Sequence, residues 1–228
     1  MLVLAIDTSG KSGGITLAEG DTRSFRAIES SAIPGGTFSA QLVPELAALL
    51  RKHGFPPQNI GGLAAVCGPG SFTGLRVGLS AIKGFAEALQ KPVAVVSLLE
   101  ALAILSGREG RIAAALDAGR SEVFFGVYDV HDGRAATQKE VLLSQSGFTD
   151  EAKMDGLASL VTSDASVAQY ASSAGIDILE IARPSSESIA RIGLKKLLSG
   201  ETVSAEALDA NYMRRSDPEI FLKSKQVP

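Results

Sequence analysis

The sequence predicts an α/β protein in two lobes, each built on the same ββαβα-type plan. Three observations carry that prediction. Leu2–Ile6 and Ala113–Leu116 are short apolar runs, each closed by an aspartate, Asp7 and Asp117. Those aspartates stand 110 positions apart in a chain of 228 residues, close to half its length. Each run is followed by a pair of strand-like segments around a Gly/Asp turn, and self-similarity at that spacing marks a duplicated unit.

Leu2–Ile6, apolar throughout, reads as a strand buried on both faces. Ile15–Glu19 and Thr22–Ile28 flank the Gly20-Asp21 turn and complete a three-stranded meander. After Pro34-Gly35-Gly36, the residues Leu42, Val43, Leu46, Leu49 and Leu50 repeat at helical spacing, giving a helix over 39–52 that stops at Gly54. Leu63–Val66 is a strand, 73–90 a second helix, and Val93–Val96 another strand. Ser97 and Glu100 form a capping-box pattern for a third helix. The first lobe thus covers 1–107, with the boundary at Gly107–Gly110. The second lobe, 108–228, repeats the plan: strands at Ala113–Leu116 and Glu122–Val130, the His131-Asp132-Gly133 turn, and a strand to Leu143. Leu157–Val161 and Ile176–Ile181 read as strands, with helices at Ala165–Ser173 and Ser186–Leu198. Residues 144–156 read as a weakly patterned loop, and 217–228 as a polar tail.

Composition removes several functional classes. His53 and His131 are the two histidines and Cys67 the one cysteine, so a zinc site of Cys and His ligands cannot be assembled. A lone cysteine forms no internal disulfide, which fits a reducing compartment. The net charge of −3, without a basic stripe, argues against unaided nucleic-acid binding. Met1 runs directly into apolar sequence without a charged n-region, so no signal peptide is expected. The most apolar stretch, Val93–Leu105, falls short of the roughly 18–20 residues of a membrane span. These features predict a cytoplasmic protein that does not bind membranes.

The most informative segment is Gly68-Pro-Gly-Ser-Phe-Thr-Gly-Leu-Arg-Val-Gly78, which follows a strand and opens a helix. Free N–H groups in that setting hold anions. The spacing is neither the P-loop nor the dinucleotide fingerprint. Gly68, Gly70, Ser71 and Thr73 are therefore either phosphate-proximal or present for tight turning and close packing. In the following helix, Gly74, Gly78, Ala81, Gly84 and Ala88 form a stripe of small residues. Interior helical glycines cost about 0.5–1 kcal/mol each, so a close-packed neighbour is expected, either the helix at 39–52 or another subunit. Asp7, with Thr8, and Asp117 either face an inter-lobe cleft or cap the turns that follow them. The histidines and Cys67 read as structural.

Taken together, Leu4-Ala-Ile-Asp-Thr-Ser9, the segment 68–78, Asp117-Ala-Gly-Arg-Ser-Glu-Val123 and Tyr212-Met-Arg214 resemble the TsaB (YeaZ) family of the bacterial tRNA threonylcarbamoyladenosine pathway. The resemblance implies a duplicated ribonuclease-H-like fold of actin/Hsp70/sugar-kinase type, two lobes with mixed sheets. It implies a non-catalytic subunit that binds TsaD, acts with TsaE, and meets tRNA only through the complex. It implies no metal and no cofactor of its own, with ATP or ADP at the partner interface. The first two helices would form the heterodimer surface, and a homodimer surface in the isolated chain. That assigns Leu42, Leu46, Leu49, Gly74, Val77, Gly78, Ala81 and Phe85 to partner binding, and leaves no catalytic residue. Two places depart from the family: Phe38 stands where a histidine is common, and Asn211 where a proline precedes the tyrosine. The competing reading is an ATP-dependent phosphotransferase or ATPase of the same fold, with Asp7 and Asp117 organising Mg²⁺. A metallopeptidase reading fails for want of a histidine pair.

Overall fold

In a computed structural model, which describes residues 1–153, 156–211 and 213, the chain forms two five-stranded sheets. In the first half, β1 (Leu2–Asp7), β2 (Ser12–Gly20) and β3 (Phe25–Pro34) make an antiparallel meander. Helix α1 (Phe38–Lys52) then leads to β4 (Ile60–Gly68), α2 (Phe72–Leu89), β5 (Val93–Ser97) and α3 (Leu98–Leu105). Strands β4 and β5 join β1 in parallel, giving the order β3-β2-β1-β4-β5.

The second half repeats this element for element. β6 (Gly110–Gly119), β7 (Glu122–His131) and β8 (Arg134–Ser144) form the meander. They are followed by α4 (Gln145–Ala152), β9 (Ser159–Thr162), α5 (Ala165–Ser173), β10 (Leu179–Glu180) and α6 (Ser186–Ser199). The order β10-β9-β6-β7-β8 mirrors the first sheet. This is a duplicated ribonuclease-H-like fold.

Three sequence expectations need correction. Thr22 lies in the turn, not in a strand: Asp21 Oδ1 accepts from the N–H groups of Arg23 and Ser24, so extension begins only at Phe25. Residues 144–156 are not simply a loop, because Gln145–Ala152 is helical. Ser144 Oγ caps it by accepting from Gly147 N at 3.1 Å, and Phe148 is fully buried beneath it. This helix is the counterpart of α1 and completes the duplication. The strand expected over Ile176–Ile181 contracts to Leu179–Glu180, since Ile176 instead packs under α5 in the outer core. The polar tail at 217–228 lies outside the described residues, as do Tyr212 and Arg214.

Helices α1 and α2 cover the outer face of the first sheet, while α4 and α5 cover the outer face of the second. The last helix of each half crosses over. α3 packs on β6, β7 and β8, and α6 packs on β1, β2, β4 and β5, so both sit between the sheets in one shared core. Apolar side chains of both halves interdigitate there, from Val3 and Val96 to Ile112 and Tyr128. Among the described residues no helix is long and apolar enough to cross a membrane.

Candidate functional site

The carboxyl ends of β1 and β6 face one another across a cleft of about 1310 Å³. Its walls are the turns after those strands, the glycine-rich loop 68–74, the start of α5, Arg183 and the segment around Asn211. Asp7 is 5% exposed, and its Oδ1 accepts from Ser9 N at 2.8 Å and Ser9 Oγ at 2.5 Å. Arg183 Nη2 in turn donates to Ser9 Oγ at 2.9 Å. Asp117 is exposed and does the equivalent job, its Oδ1 accepting from Gly119 N at 2.8 Å. Its own N–H donates to Asp164 Oδ2 at 2.7 Å, tying β6 to the start of α5. Both strand-terminal carboxylates therefore cap the turns behind them.

The glycine-rich loop is seated on the first of these turns. Ser71 N donates to the Ser9 carbonyl at 2.8 Å, and Thr8 Oγ1 donates to the Gly74 carbonyl at 2.7 Å. A methyl group on Gly70 would lie 2.4 Å from the Ser9 carbonyl oxygen. On Gly74 it would lie 2.0 Å from that of Thr8, and on Gly78 2.2 Å from Thr8 Oγ1. The close neighbour required by these glycines is thus the turn at Thr8–Ser9, not the helix at 39–52. A methyl group added to Gly84 would meet nothing within 4 Å, and that residue is exposed, so the stripe divides into a packed half and an open half. Two N–H groups at the head of α2 are already engaged, Ser71 N with Ser9 and Gly74 N with Ser71 Oγ at 3.2 Å. Thr73 and Ser71 are exposed, and Gly68 is buried against Asn211.

The nucleophile and base candidates stand elsewhere. Burial, then the charges of Glu140 and Glu100, push the Cys67 thiol up to about 12. It is protonated at neutral pH and is no nucleophile. Iodoacetamide should alkylate it at least about tenfold more slowly in the native chain than in urea, and equal rates would contradict this account. His53 Nε2 meets Glu29 Oε2 at 2.7 Å, where α1 packs on β3. His131 is exposed in its hairpin turn. Neither lines the cleft. Among the described residues no three His, Cys, Asp or Glu side chains gather as metal ligands.

The second surface of interest is the outer side of α1 and α2, which pack against each other. Val43 is 52% exposed. On α2, Val77, Ala81 and Phe85 are half-buried, and Gly84 and Ala88 beside them are exposed.

The comparisons agree with this architecture. A family model described as TsaD, tRNA N6-adenosine threonylcarbamoyltransferase, matches residues 35–205, three quarters of the chain. The tRNA threonylcarbamoyladenosine biosynthesis protein TsaB of Bacillus subtilis is 36% identical over 135 residues, 58% of this chain and 57% of that protein. The chain belongs to the TsaD family, among its TsaB (YeaZ) members. Escherichia coli TsaB is 30% identical over 131 residues, 56% of this chain and 55% of that protein. The matches thus span little more than half the length of these curated relatives. The solved structure of YeaZ from Pseudomonas aeruginosa superposes with a TM-score of 0.73 at 26% identity, covering 92% of this chain and all of that one.

Within this TsaB-family chain, the residues expected at a partner surface separate into two groups. Leu42, Leu46 and Leu49 are only 1%, 2% and 3% exposed, and they pack into the chain's own core beneath α1. Gly74 and Gly78 are buried against Thr8. These five present almost no surface on which a partner could rest, whereas Val77, Ala81 and Phe85 retain accessible surface. Phe38 is buried, and its ring fits so closely over Gly13 that a methyl group there would lie 2.7 Å from it. Sequence reasoning missed Arg183, which carries no motif, and Asn211 as a cleft residue. It also missed Lys196, whose ammonium meets Glu100 Oε1 at 2.6 Å between the sheets. Adjacent lysines on a helix read as solvated, and only the crossing of α6 buries this one.

Proposed function

We propose that this chain is the non-catalytic partner of a TsaD-type transferase. In this reading it supports TsaD, with TsaE, in forming N6-threonylcarbamoyladenosine next to the anticodon of tRNA in the cytoplasm. The observation that carries it is the contrast between the two surfaces. The cleft aspartates are engaged in holding turns, with no histidine or reactive thiol nearby. The outer side of α1 and α2 instead presents a row of exposed and half-buried apolar side chains. Non-catalytic action of this kind is binding: the face formed by Val43, Val77, Ala81 and Phe85 buries against TsaD and favours its active arrangement. The isolated chain would pair with a second copy through the same face. ATP or ADP belongs, on this reading, at the interface with the partner, and tRNA is reached only through the complex. A stable association needs roughly 1,000 Å² of buried surface or more.

The test is Ala81→Glu, which places a charge in the centre of that row. Titration calorimetry against TsaD should show affinity reduced at least about tenfold, while the isolated variant keeps the wild-type circular dichroism spectrum and a cooperative thermal transition. Wild-type affinity in the folded variant would sink the reading.

A further inference from the structure

Residues 201–211 belong to neither repeat, yet they are anchored at several points, as is Met213. Val203 N donates to the Val93 carbonyl at 2.8 Å, adding a bridge to the free edge of β5. Leu208 is buried in the core beneath α1 and α2, and Met213 packs against the core between the sheets. Between them, Asn211 makes contact with both halves of the molecule. Its N–H donates to the Cys67 carbonyl at 2.7 Å, at the point where β4 enters the glycine-rich loop. Its own carbonyl oxygen lies so close to Gly68 that a methyl group there would come within 2.9 Å of it. Its side-chain amide donates to Glu140 Oε2, on β8 of the second sheet.

Glu140 is the centre of this arrangement. Its second oxygen accepts from the hydroxyl of Tyr128, a fully buried residue of β7. Burial and the Glu140 charge both hold that phenol in its protonated form, so Tyr128 acts as a donor. One carboxylate thus receives two donors from separate parts of the chain, and charge-assisted bonds of this type are the stronger ones. A proline at position 211 would have neither an N–H nor a side-chain amide and would make neither bond.

We propose that Asn211 is a latch. It pins the C-terminal strap to the first residues of the glycine-rich loop and to the β7–β8 hairpin, so that loop 68–74 and the head of α2 keep a fixed position relative to the second sheet. Releasing it frees the strap and loosens the loop at the cleft mouth while the two sheets stay folded.

The experiment is amide hydrogen exchange on the full chain, comparing wild type, Asn211→Asp, and the double variant Asn211→Asp/Glu140→Gln. Asn211→Asp sets two carboxylates face to face and should speed exchange at least about tenfold in segments 67–75 and 201–211, leaving the centres of β1 and β6 protected. In the double variant the new amide at position 140 donates to the new carboxylate at position 211, and its carbonyl accepts from Tyr128. Protection should then return to within about twofold of wild type. Wild-type exchange in Asn211→Asp overturns the latch. So does uniformly faster exchange across both sheets, and so does a double variant as loose as the single one.

Discussion

Gly74→Ala is expected to destabilise the chain by about 3 kcal/mol, seen as a fall in Tm of about 6–12 °C. In an exposed helix interior the same substitution stabilises by about 0.5–1 kcal/mol, because alanine is the better helix former. The sign reverses here because the added methyl group would lie 2.0 Å from the Thr8 carbonyl oxygen. That atom is backbone, on the turn that Asp7 holds through Ser9, so it cannot move aside as a flexible side chain would. Relief requires the head of α2 to lift from the end of β1, which strains the Thr8–Gly74 and Ser71–Ser9 hydrogen bonds. Gly84→Ala is the matched control. It sits on the same helix with open space around it, and is expected to raise stability by about 0.5–1 kcal/mol. Thermal unfolding of the two variants with equal and same-signed shifts would show that the glycine-rich head of α2 is not held as described.

Lys196→Met should cost about 3–5 kcal/mol at neutral pH, because it strands a buried carboxylate. Glu100 on α3 is 5% exposed at its side chain, and its two oxygens lie 2.6 and 2.8 Å from the Lys196 ammonium on α6. Desolvation already raises the Glu100 pKa above its ordinary 4.5, and Lys196 is the chief influence holding it down. Removing the lysine lets it climb further. A carboxyl group with a raised folded-state pKa binds its proton more readily in the folded chain than in the unfolded one. Stability linked to it is full below the unfolded value of 4.5 and is lost as pH rises through the folded value. The deficit of Lys196→Met relative to wild type should therefore shrink as pH is lowered from 7 towards 4.5, and adding Glu100→Gln should recover most of it at neutral pH. Urea unfolding at both ends of that window decides the matter; a deficit that does not change with pH would rule out a stranded charge.

Both predictions turn on partners far apart in sequence, where local pattern carries no information. The strands β1 and β6 were legible because an apolar run closed by Asp is a local signal, as was the helical spacing of Leu42, Leu46 and Leu49. Helix α4 was not: Gln145–Ala152 offers a single large apolar residue, Phe148, and what makes it helical is burial of that ring against Phe125. The stripe on α2 was legible as a demand for a close neighbour, but periodicity cannot distinguish Gly78, pressed against Thr8, from Gly84, in open space. The same limit placed Leu42, Leu46 and Leu49 on a partner face when they serve the core.

What the sequence by itself determined is the duplication, the family, and the scarcity of histidine and cysteine, since each rests on residue identity and short-range spacing. Two histidines and one cysteine exclude a zinc centre of Cys and His wherever the chain runs. The tertiary structure decided how the groups that are present are used. It committed Asp7 and Asp117 to their turns, buried Glu100 with Lys196, and set Asn211 between the two sheets. The physical reason is the exchange of α3 and α6 between the halves, with the strap that follows. Burial and close contact arise between residues that no local pattern relates, and those contacts fix whether a polar side chain is available for chemistry or already satisfied.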